Sequence, residues 1–143
     1  MAIKLENVGI AVRDLEEAIA FFTDLGLTVQ GRATVSGEWA ETAVGLDGNT
    51  VKLAMLITPD GHGTIELFEY LRPDAIETEP TRPNEIGMHR VAFSVPNLDE
   101  ALEIAARHGC HPLRGVATYE GQFKLTYVRG PSGIIVMLAE ALT

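Results

Sequence analysis

Residues able to do chemistry are few in this chain, and one strand-like stretch concentrates them. Residues 64–71 (TIELFEYL) alternate so that Glu66, Phe68 and Tyr70 point to one side. A carboxylate between aromatic walls can take a proton, hold a cation or orient a polar ligand. Tyr119, Phe123 and Tyr127 lie on the matching later strands, and Trp39, the only tryptophan, sits in a loop that could cover an opening. The other reactive types read as structural. Cys110 is the single cysteine and has no strong activator near it in sequence. His62 lies in the turn Pro59-Asp60-Gly61-His62-Gly63, His89 beside a proline-rich stretch, His108 at a helix end and His111 at the start of a strand. No G-x-S-x-G elbow, P-loop or Rossmann glycine fingerprint is present.

The elements that must position these groups are written twice. Residues 7–18 (NVGIAVRDLEEA) and 90–101 (RVAFSVPNLDEA) both read as strand, corner and capped helix. Val8, Ile10 and Val12 alternate as Val91, Phe93 and Val95 do. Asp14 and Asn97 are the capping residues, each with Glu three places on, at Glu17 and Glu100. Strands are expected over about 3–12, 27–35, 51–58 and 64–71, then over 88–95, 111–117, 123–129 and 134–139. Helices follow Asp14 and Asn97, with Gly26 and Gly109 as stops. Residues 36–49 read as irregular. The stretch 72–86 (RPDAIETEPTRPNEI) holds three prolines and no apolar period, so it reads as a linker between modules 1–71 and 87–143.

Bulk properties exclude some classes of function. A net charge of −9 over 143 residues argues against nucleic acid or anionic membrane as the main partner. No apolar run approaches a membrane span, and the start (MAIKLENVGI) reads directly into a strand rather than as a signal peptide. One cysteine permits no internal disulfide, which fits a cytoplasmic setting. The expected partner is a small molecule.

The order βαβββ repeated twice, opened by NVGIAVRDLEEAIAFFTDLGL and closed by RGPSGIIVMLAEAL, resembles the vicinal oxygen chelate superfamily over essentially the whole chain. That group includes glyoxalase I, extradiol dioxygenases, fosfomycin-resistance enzymes and bleomycin-resistance proteins. The resemblance implies an α+β fold in which two βαβββ modules form a curled, barrel-like mixed sheet with the helices outside. It also implies a homodimer. Many members hold a divalent metal between the modules, with one ligand from the first and one from the last strand of each.

Carried over by the resemblance, those ligand positions are Asn7, Glu66, Arg90 and Met137. Strand parity selects Arg90 rather than His89, because His89 shares the parity of the helix-facing Val91, Phe93 and Val95. Glu66 alone keeps a ligand of the usual type. Asn7 is a weak substitute for imidazole, Met137 offers a soft thioether, and Arg90 is permanently cationic. The expectation is therefore a degraded metal site with no cofactor. In it, Glu66 pairs with Arg90 and these two carry any catalysis. Asn7, Trp39, Phe68, Tyr70, Tyr127 and Met137 are the candidate ligand-binding residues. The alternative is a metal-dependent lyase, isomerase or dioxygenase holding one divalent ion through Glu66 with His89 or Asn7.

Overall fold

The computed structural model describes residues 1–143. The chain divides into two compact units, Met1–Thr78 and Glu79–Thr143, each with its own sheet. The first unit contains β1 (Val8–Ala11), α1 (Leu15–Asp24), β2 (Thr28–Val35), α2 (Glu38–Val44), β3 (Thr50–Ile57) and β4 (Thr64–Arg72). Its sheet runs β1-β4-β3-β2, with β1 parallel to β4 and the other pairs antiparallel. The second unit contains β5 (Val91–Ser94), α3 (Leu98–Arg107), β6 (His111–Pro112), β7 (Ala117–Tyr119), β8 (Phe123–Arg129) and β9 (Ile135–Ala141). Its sheet runs β5-β9-β8-β6, with β5 parallel to β9 and β7 also paired to β8. The α+β class is as expected.

Each long helix packs on one face of its own sheet. Phe22 of α1 is fully buried, as are Leu56 and Leu67 of its sheet; Leu98 of α3 is fully buried, as are Val128, Val136 and Leu138 of its sheet. Both helices start as their sequences dictate. Asp14 accepts from the Glu17 N–H at 3.1 Å and Asn97 from the Glu100 N–H at 2.9 Å. A second carboxylate then reaches each helix start from the last strand of its unit. Glu69 accepts from the Leu15 N–H at 2.9 Å, and Glu140 accepts from the Leu98 N–H at 2.6 Å. Two otherwise unpaired helix donors are thereby satisfied at each start.

Three local expectations needed adjusting. The first strand of each unit is only four residues, Val8–Ala11 and Val91–Ser94. Val8 already pairs with Ile65, near the start of β4, and Val91 with Val136, near the start of β9, so residues further upstream have no strand to bond. The stretch 36–49 contains α2, bracketed by positive-φ Gly37 and Gly45, the latter donating to the Glu41 carbonyl at 2.8 Å. Only Ala40 of α2 is buried, so the sequence carries no apolar period to announce it. The expected strand 111–117 is split into β6 and β7. Between them the chain leaves the ladder, and the Gly115 carbonyl accepts instead from the Thr126 hydroxyl at 2.7 Å.

Candidate functional site

The sheet faces turned away from α1 and α3 carry the candidate residues. In the first unit, Glu66 on β4 stands between Gly9 on β1 and Met55 on β3. Phe68 follows between Ala11 and Leu53, and Tyr70 opposite Val51. Glu66, Phe68 and Tyr70 are each half-buried. The two rings meet edge to face, with centroids 5.9 Å apart and planes at 76°. Phe68 lies over β1: a Cβ built on Gly9 would sit 3.1 Å from Phe68 Cε1. Asn7, half-buried, directly precedes β1. Trp39 is on α2 rather than in an irregular loop, and it is 67% exposed.

In the second unit, the register repeats position by position. Met137 on β9 stands between Ala92 on β5 and Tyr127 on β8. Met137 thus occupies the place of Glu66, Ala92 that of Gly9 and Tyr127 that of Met55. Arg90, just before β5, takes the place of Asn7, and its Nε donates to the Tyr127 hydroxyl at 3.0 Å. The guanidinium carbon lies 5.6 Å from the centre of the Tyr127 ring. Arg90, Tyr127 and Met137 therefore come together on one face. Tyr119 and Phe123 pair across β7 and β8 on the same side and remain exposed. His89 is exposed beside Arg90.

Sequence reasoning missed two features of the second face. One is the Arg90–Tyr127 bond. The other is the pair of small residues, Ala139 and Ala141, at the places of Phe68 and Tyr70. Laying the fourth strand of each repeat over the other would have shown the second feature. Glu69 and Glu140 face the helices, as their parity requires, and act as helix-start acceptors rather than site groups.

The four positions that the resemblance assigns to a metal carry a mixed set of side chains. The first unit contributes one carboxylate and an amide, the second a thioether and a guanidinium. Hard divalent ions of oxygen chemistry need several oxygen or imidazole donors, and a guanidinium repels them.

Known proteins place this geometry in a family. The model of the Glyoxalase/Bleomycin resistance protein/Dioxygenase superfamily matches residues 6–127. A 2-epi-5-epi-valiolone epimerase from Actinomyces is 33% identical over 109 residues, which cover 71% of this chain and 57% of that protein. The chain thus spans little more than half the length of that relative. A glyoxalase family protein from Bacillus cereus superposes with a TM-score of 0.94 at 42% identity, covering 100% of this chain and 97% of the other. A fosfomycin resistance protein from Listeria monocytogenes shares the fold, with a TM-score of 0.66 at 16% identity over 100% and 96% of the chains. The chain belongs to the Glyoxalase/Bleomycin resistance protein/Dioxygenase superfamily.

Proposed function

We propose that this superfamily member binds a small organic molecule on the helix-free faces of its sheets without the divalent ion that the ligand positions serve elsewhere in the family. The observation that carries this reading is the donor set. Of Asn7, Glu66, Arg90 and Met137, only Glu66 is an anionic oxygen donor, and Arg90 brings a fixed positive charge held by Tyr127. The half-buried Phe68–Tyr70 pair supplies apolar wall of the kind small-molecule sites use. Protein purified without chelator, analysed for metal and titrated with Mn(II) and Zn(II), checks this. The expected result is substoichiometric metal and no rise in unfolding temperature on titration. One divalent ion held tightly per chain, and lost in Glu66→Ala, would overturn the metal-free reading.

A second reading is acid–base epimerisation, favoured by the 33% identity to an epimerase together with the retained Glu66. Glu66 would remove a proton from a carbon made acidic by a neighbouring carbonyl, water on the opposite face of the planar enolate would return one, and Glu66 would lose its proton to solvent. The test is exchange of solvent deuterium into 2-epi-5-epi-valiolone, followed by NMR. Exchange that falls by about a hundredfold or more in Glu66→Gln is the expected signature of a general base. No exchange above the protein-free rate removes this reading and leaves binding alone.

A further inference from the structure

We infer that the open face of β5, β9 and β8 is a binding site for a carboxylate-bearing small molecule, with the Arg90 guanidinium as its anion receptor and Tyr127 as the residue that positions it. The inference deepens the metal-free binding proposed above and rests on it. Its first support is how Arg90 is held. The hydrogen bond to Tyr127 uses Nε, leaving both terminal nitrogens without a partner in the second unit. Those two nitrogens present parallel N–H donors, the geometry that a carboxylate accepts in bidentate fashion. A guanidinium anchored at Nε keeps its plane and loses less freedom on binding than a free one.

Divergence between the repeats is the second support. In the first unit the ring of Phe68 lies over Gly9 and fills the floor of the face. The corresponding places in the second unit hold Ala139 and Ala92, with Ser94 opposite Ala139. That floor of small side chains is bounded by Met137, which pairs with Ala92 and with the Tyr127 that holds Arg90, and by Leu125, which pairs with Ala139. The missing ring leaves room for the apolar body of a ligand whose carboxylate lies on Arg90. Ser94 is an exposed residue there and brings a hydroxyl for a further polar group of the ligand.

The charge count favours a monoanion over a phosphate. Arg129 shares the parity of Tyr127 on β8, but its Nη1 donates to the carbonyls of Thr81 at 2.7 Å and Gly133 at 2.8 Å. Arg90 is thus the cation left to receive a ligand on this face, and the chain's net charge of −9 disfavours a dianion further.

The test titrates phenylacetate, its neutral isostere phenylacetamide and inorganic phosphate into the full chain. It follows the Arg90 Nε–H resonance by NMR, with metal content measured on the same sample. Phenylacetate is expected to give a saturable shift that the amide and phosphate do not. Its affinity should fall by about tenfold or more in Arg90→Gln, and also in Arg90→Lys, which keeps charge but loses the fork. Tyr127→Phe should weaken binding several-fold and move the Arg90 Nε–H resonance of the free protein while leaving the unfolding temperature in place. The inference is overturned by equal binding of acid and amide, by tighter binding of phosphate, by unchanged affinity in Arg90→Gln, or by the absence of a saturable shift in metal-free protein. A stoichiometric metal ion in the same sample counts separately, against the metal-free reading.

Discussion

At the scale of single residues, chemistry in this chain depends on which side chain stands opposite which. Gly9 and Ala92 occupy the same place in the two repeats, and the difference of one methyl decides what can lie above them. At Gly9, an added Cβ would press on Phe68 at 3.1 Å. Away from the sheet faces, Asp60 organises the turn between β3 and β4. Its Oδ1 accepts from the Thr58 hydroxyl at 2.6 Å and the His62 N–H at 3.0 Å. The Thr58 bond, followed by the His62 backbone bond, holds the Asp60 carboxyl below the usual carboxylate range. A carboxyl whose pKa is lower when folded stabilises the fold above its unfolded pKa. That contribution fades as pH falls through the folded value. The wild type should therefore lose unfolding temperature relative to Asp60→Asn as a thermal-melt series is carried from neutral to strongly acidic pH. Parallel curves for the two proteins would remove this role.

The duplicated strand–helix element explains the constancy of each unit better than the site residues do. Each helix start takes one acceptor from its own capping residue and one from a strand carboxylate, Glu69 or Glu140. Glu69 is also paired with Lys52 at 3.2 Å, across β3 and β4. Lys124 stands opposite Glu140 in the same way and reaches Asp99, in the first turn of α3, at 3.7 Å. A negative charge at a helix N-terminus is favourable, and a charged acceptor makes the stronger hydrogen bond. Glu140→Gln should cost about 1 kcal/mol and Glu140→Ala about 2 kcal/mol in chemical denaturation, with Glu69 variants close behind. A loss under a few tenths of a kcal/mol in both pairs would show that these carboxylates do not secure the helices.

Across the whole molecule, one repeated pattern is kept in the scaffold and differs on the helix-free faces. The strand orders of the two units correspond, and each has a single parallel pair joining its first and last strands. The face residues diverge: Asn7 against Arg90, Glu66 against Met137, Phe68 against Ala139. No helix is long and apolar enough to cross a membrane. Much of the scaffold was legible beforehand, because the apolar alternation of Val8, Ile10 and Val12 and the caps at Asp14 and Asn97 are local signals. The lengths of β1 and β5 were not, because a strand ends where its neighbour ends. Nor was α2, whose seven residues bury only Ala40.

Taken alone, the order of residues determined the duplication, the α+β class and the side of the sheet on which Glu66 and Arg90 belong. Each of these follows from a repeat of period two along a strand or from a cap a few residues long. Tertiary structure alone decided that Arg90 is held by Tyr127, that Phe68 lies over Gly9, and that Glu69 and Glu140 serve helix starts. Those partners are 37 to 59 positions apart for the hydrogen bonds to Tyr127, Leu15 and Leu98 or the close approach at Gly9. Only the register of paired strands brings such distant residues within reach of one another.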